Sequence, residues 1–366
     1  MPTKVYTAGQ IFTGEKFIEK FAIEVDSGKV RQLISRAEIP NNSDVVSYPD
    51  LIIAPAFKDL QINGGDGRMF SVEPTVESLI AINNYCRSGG ASAFLATVAT
   101  SSPEIISRAI NSVLSYWESG AEGLIGLHLE GPYINIKKKG AHAEKFIKVP
   151  DIDNVKRLVK EGAGAIKMMT LAPELCSDEV IKYLIKSGII LSAGHTNATY
   201  EQAMHGFELG IKTCTHLYNA MTPFNHRNPG IVGAIFDSNV FSSIIPDGIH
   251  LSEVAFRIAN RLLGDRLFFI TDAVTESETE YYHYIFKDHY YVNEKGVLSG
   301  SALKIGTAVR KAVAMGITRE EALKKASTIP SLVIGKGKIW GRIAPGYLVD
   351  WVLLDKELNV KGLVTG

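Results

Sequence analysis

Ile189-Ile190-Leu191-Ser192-Ala193-Gly194-His195 and Lys212-Thr213-Cys214-Thr215-His216 bracket the segment 199–209. The two outer stretches are short apolar runs of strand length, and each delivers the chain to a histidine. Between them Tyr200, Ala203, Met204 and Phe207 recur at three- and four-residue spacing, the period of a helix with one apolar face. Two strands joined through a helix pair in parallel with a right-handed crossover. The segment therefore reads as one unit of a parallel α/β sheet with imidazoles at its carboxyl edge.

The unit recurs. Candidate strands are 56–61, 93–97, 124–129, 165–171, 189–193, 212–215, 241–245 and 267–271. Ser102-Pro103 opens a helix whose Ile106, Ala109, Ile110 and Val113 form a stripe. Ser177 caps another, with Asp178 and Glu179 in its first turn, Ile181, Leu184 and Ile185 on one face, and Gly188 just past its end. Ser252 starts a further one, with Ala255, Ile258, Ala259 and Leu262 as its expected apolar face. Eight strand–helix units over about 220 residues predict a (β/α)8 barrel rather than an open doubly wound sheet.

The ends read differently. Val5-Tyr6, Phe21 to Val25 and Val30 to Ile34 are short alternating segments punctuated by Gly14 and Gly28, which is hairpin-like, and in 341–354 Ala344-Pro345-Gly346 suggests a turn between strands. The fold class expected is thus α/β, with the barrel at 55–335 and a small flanking β domain built from both chain termini, 1–54 and 336–366. The other reading is a pair of edge hairpins with no core of their own.

Composition limits the function. Lys and Arg number 39 against 39 Asp and Glu, so no nucleic acid or anionic membrane is expected as a partner. No apolar run approaches the roughly 20 residues of a bilayer span. Residues 1–10 lack the charged-then-apolar order of a signal peptide, and Cys86, Cys176 and Cys214 are too scattered for a disulfide framework. A cytoplasmic location is the expectation.

Catalytic groups of such a barrel sit at the carboxyl ends of its strands. Four predicted strands run into Glu130, His195, His216 and Asp272. A glutamate with two histidines is an open metal site that leaves room for water. Singly, Glu130 reads as a loop carboxylate and each histidine as a hydrogen-bonded rim residue; their convergence favours the metal. Asp272 follows Leu267-Phe268-Phe269-Ile270, so its carboxylate emerges from a buried strand and needs a charged partner. His128 lies two residues before Glu130 and one layer deeper, as a structural histidine would. His205 is expected to face solvent. His283 and His289 fall in a tyrosine-rich segment, 281–291, that alternates like a surface flap.

Leu129-Glu130-Gly131-Pro132, Lys138-Lys139-Gly140-Ala141-His142, Ala193-Gly194-His195-Thr196, Thr215-His216-Leu217-Tyr218-Asn219-Ala220-Met221, Asp247-Gly248-Ile249-His250 and Thr271-Asp272-Ala273 stand in a telling order. In order and spacing this set resembles the N-acetylglucosamine-6-phosphate deacetylase family of the amidohydrolase superfamily, over nearly the whole chain. The resemblance implies that Glu130, His195 and His216 bind one divalent metal cation per subunit. Zinc is the first expectation, and iron, cobalt or manganese suit the donor set as well. It implies Asp272 as general base and then general acid, with His142 beside the metal on the oxyanion. It further implies that Asn219, Ala220, Arg227 and His250 hold the sugar phosphate and hydroxyls, with Ala141, Ala302 and Leu303 lining the pocket. An arginine fork suits a phosphate, although Arg227 by itself reads as loop surface charge. The implied reaction removes the acetyl group of N-acetyl-D-glucosamine 6-phosphate, in amino sugar catabolism. The partner is a small amino sugar phosphate, and a homodimer is implied in which the Arg227 loop reaches the neighbour's site.

Three departures qualify the resemblance. Many amidohydrolases end their first strand with His-x-His for a second metal, whereas here Gln61-Ile62-Asn63 offers two poor zinc ligands, so one metal is expected. Lys58, in Pro55-Ala56-Phe57-Lys58-Asp59, is expected to point outward. Pro246 stands before the Asp247-Gly248 turn and stiffens it. Alternatives are another amidohydrolase acting on a cyclic amide or a related N-acetyl sugar phosphate, with Lys167 as a candidate bridging lysine, a metal-free phosphosugar isomerase or lyase, and a ligand-sensing protein.

Overall fold

The computed structural model describes residues 4–366. All eight expected strands form: β1 (Phe57–Ile62), β2 (Ala91–Ala99), β3 (Leu124–Glu130), β4 (Ile166–Leu171), β5 (Ile190–Ala193), β6 (Thr213–Cys214), β7 (Phe241–Ile244) and β8 (Leu267–Phe269). They neighbour one another in sequence order, and the pairs from β2 to β8 are parallel. The chain past β8 closes the ring on β1, through the Asp272 N–H donating to the Gln61 carbonyl (2.9 Å) and a parallel bridge between Ile62 and Ala273. This is a nearly closed (β/α)8 barrel.

The connecting helices are α1 (Val76–Ser88), α2 (Pro103–Glu118), α3 (Ile152–Gly162), α4 (Asp178–Lys186), α5 (Tyr200–Glu208), α6 (Gly230–Phe236), α7 (Glu253–Leu263) and α8 (Ile305–Ala314). Their starts follow local chemistry. The Ser102, Ser177 and Ser252 hydroxyls accept backbone N–H bonds of the first turn, and Thr199 with Gln202 makes a reciprocal capping box. Ile106, Ala109, Ile110 and Val113 of α2 are buried as expected. The face of α7 differs: Phe256, Ala259, Asn260 and Leu263 are buried, whereas Ile258 and Leu262 are 45% and 51% exposed. The apolar spacing fits either face, and the larger Phe256 ring settles it by packing on Phe269 of β8, centroids 6.2 Å apart.

The chain divides into two compact units, residues 1–59, 86–92 and 304–366 in one, and 60–85 and 93–303 in the other. The first carries a sheet from both chain ends, in the order Val360–Thr365, Asp350–Leu354, Asp44–Pro55, Lys4–Phe12, Phe21–Asp26, Lys29–Ser35, with Phe17–Ile18 paired to Lys4–Phe12. Tyr6, Ile23, Ile53, Ile343 and Trp351 form its core. The sheet therefore has a core of its own, unlike edge hairpins. The turn at 344–346 does not join two strands; Asp350–Leu354 pairs instead with Val360–Thr365 and Asp44–Pro55. Lys58 also departs from expectation. It is fully buried, ion-paired with Asp350 and bonded to Ser92, and burial lowers its pKa.

In the second unit Ser277–Glu278, His283–Lys287, Tyr290–Val292 and Leu298–Ser301 make a four-stranded antiparallel sheet. The tyrosine-rich segment forms its middle hairpin. Tyr282 and Tyr284 are buried in it rather than displayed on a surface. Among the described residues, no helix is long and apolar enough to cross a membrane.

Candidate active site

The site lies wholly in the second unit. Glu130 ends β3, and His195, His216 and Asp272 each stand just beyond β5, β6 and β8. All four line one cavity of about 340 Å³ at the carboxyl ends of the strands. His195, His216 and Asp272 turn out of their strands with φ of 47°, 35° and 48°, a left-handed conformation costly for residues other than glycine. Neighbours hold each one. The His195 carbonyl accepts from the Asn135 N–H (2.8 Å), the His216 N–H donates to Ser243 Oγ (2.8 Å), and the Asp272 carbonyl accepts from the Ser301 N–H (3.0 Å).

Three ligand atoms converge. His195 Nε2 and His216 Nε2 are 3.0 Å apart, and Glu130 Oε1 lies 3.3 Å from the first and 3.1 Å from the second. His195 Nδ1–H donates to the Lys138 carbonyl (2.9 Å), which leaves Nε2 as a bare lone pair aimed at the other two atoms. Ligand bonds of about 2.0–2.2 Å in tetrahedral array set neighbouring donors about 3.3 Å apart, so this cluster fits one divalent cation. No second cluster of this kind occurs among the described residues.

The protonation states follow from burial and neighbours. Burial opposes charge on Glu130, but the His195 and His216 rings against it, with His142 nearby, overcome it and hold the carboxyl well below its usual range. Burial likewise opposes a charged His216 and is the largest single influence, but the hydrogen bond to Glu130 together with the charges of Glu130 and Asp272 outweighs it, so its pKa is raised. Asp272 goes the other way: burial first, then the charge of Glu130, raise its pKa. A carboxylate so placed is a stronger base than one in water.

Gln61 and Asn63 take a role that the sequence did not reveal. Gln61 Nε2 donates to Glu130 Oε1 (2.8 Å) and Asp272 Oδ1 (3.1 Å), and Asn63 Nδ2 donates to Asp272 Oδ1 (2.8 Å). Gln61 thus clamps the two carboxylates together through its N–H groups, and Asn63 adds a second donor to Asp272. His142 is a third element of the wall, its Nε2 3.6 Å from Glu130 Oε2. The Thr100 backbone N–H (3.2 Å) and hydroxyl (3.0 Å) both reach its Nδ1, and because the backbone N–H can only donate, the proton of the neutral ring falls on Nε2. Burial and the His195 ring push its pKa down to about 3. It is a neutral donor facing the cavity.

Ala141, Asn219, Ala220 and His250 also line the cavity. Three expected residues do not. Arg227 is exposed and borders a separate hollow beside Tyr200 and Asn228. Ala302 and Leu303 direct their carbonyls to Tyr85 Oη (3.2 Å each), and 297–300 provide the lining instead. Tyr284 lines the cavity too, and its period-two relation to Tyr282 is the signal that could have placed both on one inner face. Lys167 lies over the Trp117 ring and not in the cavity, so it bridges no metals there. His128 is buried between the Leu60 carbonyl and Thr170 Oγ1, and His205 pairs with Asp178 at the surface, as the sequence suggested.

Comparison with known proteins agrees with this geometry. A family model described as the amidohydrolase family matches residues 52–365. The chain is 30% identical to an N-acetylglucosamine-6-phosphate deacetylase of Haemophilus influenzae, over 97% of this chain and 96% of that protein. It is 33% identical to an N-acetylgalactosamine-6-phosphate deacetylase of a Shewanella species, over 96% and 92%. The crystal structure of N-acetylglucosamine-6-phosphate deacetylase from Pasteurella multocida superposes with a TM-score of 0.95 at 29% identity, covering 99% of this chain and 98% of that one.

Proposed function

The chain belongs to the amidohydrolase family, and from that premise we infer that it hydrolyses the N-acetyl group of N-acetyl-D-glucosamine 6-phosphate, giving D-glucosamine 6-phosphate and acetate. The observation that carries this reading is Asp272, a buried basic carboxylate, beside the Glu130–His195–His216 cluster. Against a cyclic-amide substrate stand both the relatives and the placement of Lys167.

Glu130, His195 and His216 would hold one divalent cation, zinc by the donor set, which when bound polarises the acetamide carbonyl and acidifies a water. Asp272 takes a proton from the attacking water. Because Gln61 and Asn63 both occupy Oδ1, the proton is carried on Oδ2 and is then passed to the departing amine nitrogen. His142 directs its Nε2–H at the carbonyl oxygen, where negative charge develops. Its low pKa supports this role, since a neutral ring keeps that proton throughout.

In this reading His250, Asn219, Ala220 and Ala141, which line the cavity, are the contacts of the sugar phosphate. Arg227, exposed in a loop away from its own cavity, supplies the phosphate contact from the second copy of a homodimer; Ala302 and Leu303 act behind the lining. The enzyme works in the cytoplasm, where its substrate is a sugar phosphate.

Acetate release from N-acetylglucosamine 6-phosphate, run beside metal determination on the purified protein, tests the reading. Phosphate-dependent release with about one equivalent of divalent metal per chain supports it. Metal without release overturns the substrate assignment, and release without metal overturns the mechanism. N-acetylgalactosamine 6-phosphate belongs in the same assay, because the Shewanella relative carries that epimer in its name.

A further inference from the structure

His250 reaches the cavity from a tight loop just past β7, and Asp247 stands at the start of that loop. Asp247 has two distinct tasks. Its Oδ1 accepts from the backbone N–H groups of Ile249 and His250 (2.8 Å each), which closes the loop. Its Oδ2 faces His250 Nδ1 at 2.6 Å, and both side chains are buried, 4% and 6% exposed. A carboxylate oxygen only accepts, so the Nδ1 atom must carry a proton. In the neutral ring Nε2 is then a lone pair. Only the charged ring donates through Nε2–H as well, and the Asp247 carboxylate 2.6 Å behind it is its ion-pair partner.

We propose that Asp247 is a positioning residue for substrate binding: it holds the ring plane of His250 with Nδ1–H turned inward and supplies the counter-charge, so that the imidazolium meets an anionic oxygen of the substrate through Nε2–H as a charge-assisted donor. This rests on the reading of the cavity as the site for a sugar phosphate. The mechanism assigns Asp247 no part in bond breaking, and the geometry explains why an acid is buried at that wall. A carboxylate needed only to close the loop would use Oδ1 alone; the short contact through Oδ2 serves the ring.

Asp247→Asn separates the two tasks. The amide oxygen keeps the two backbone bonds, and its NH2 group now donates to Nδ1, which forces the neutral ring to carry its proton on Nε2. Nitrogen NMR of the ligand-free holoenzyme reads the tautomer directly, without any substrate. A ring that keeps its proton on Nδ1 in the variant overturns the proposal. In acetate-release kinetics with N-acetylglucosamine 6-phosphate, KM is expected to rise roughly tenfold, with kcat changed far less, as for a charge-assisted bond reduced to a neutral one. An unchanged KM, or a fall confined to kcat, overturns it. His250→Gln supplies the partner for a double-mutant cycle: if Asp247 works through His250, the double variant is no worse than His250→Gln alone, and additive losses count against the proposal. Should the wild-type enzyme release no acetate at all, the substrate reading fails, while the NMR result still decides what Asp247 does to the ring.

Discussion

Asp272 is the residue on which the chemistry turns. Its carboxylate is raised in pKa by burial and by Glu130, and it is held at Oδ1 by two amides. Asp272→Asn keeps size and hydrogen bonds but cannot take a proton. The expected loss is about 10²–10⁴-fold in kcat, with metal content unchanged; acetate-release kinetics beside metal analysis check it, and a near-normal rate would remove the proposed base. The identities of Glu130, His195, His216 and Asp272 were legible because each follows an apolar run at a strand end. Their backbone was not. Left-handed φ at His195, His216 and Asp272 is held by hydrogen bonds with Asn135, Ser243 and Ser301, partners that are distant in sequence. The clamp formed by Gln61 and Asn63 was equally hidden, since an amide that makes a poor ligand gives no sign that its N–H groups are needed.

At the scale of elements, local chemistry decides where helices start and the tertiary surroundings decide which face turns inward. Ser102, Ser177, Thr199 and Ser252 cap as their sequence context suggests, because a cap is made within one turn. The face of α7 could not be read that way: Ala255, Ile258, Ala259 and Leu262 keep helical spacing as well as Phe256, Ala259 and Leu263 do. Burial distinguishes them. Phe256→Ala should cost about 3–5 kcal/mol by leaving a cavity beside Phe269, while Ile258→Ala and Leu262→Ala should each stay within about 0.5 kcal/mol. Urea unfolding of the three variants measures this; equal losses would restore the face that the spacing alone suggested. The same limit explains the turn at 344–346. Its Pro-Gly signal is real, but whether a strand precedes it depends on a sheet assembled from both ends of the chain.

The whole molecule has no net formal charge at pH 7, so its sensitivity to acid comes from particular buried groups. His128 is fully buried and its pKa falls from 6.5 to about 4, through burial first and against the attraction of Glu130. Below pH 6.5 the unfolded chain takes up a proton that the folded chain refuses. Stability is therefore complete above about 6.5 and is lost as pH falls toward 4, by about 3 kcal/mol for this group. Thermal unfolding of chelator-treated protein at pH 7 and pH 5 should show the drop, and His128→Asn should reduce it, with the buried His142 still contributing; equal slopes would mean that His128 is not held neutral. Assembly is the other property of this scale. If Arg227 serves the neighbour's site, chains carrying Arg227→Ala and chains carrying Asp272→Asn are each impaired as homodimers. A mixed dimer then holds one whole site, with Asp272 from the first chain and Arg227 from the second. Random exchange makes half the dimers mixed, so roughly a quarter of the sites should become competent. Activity recovered on unfolding and refolding the two variants together measures it, and a mixture no more active than its parts would place Arg227 outside the neighbour's site.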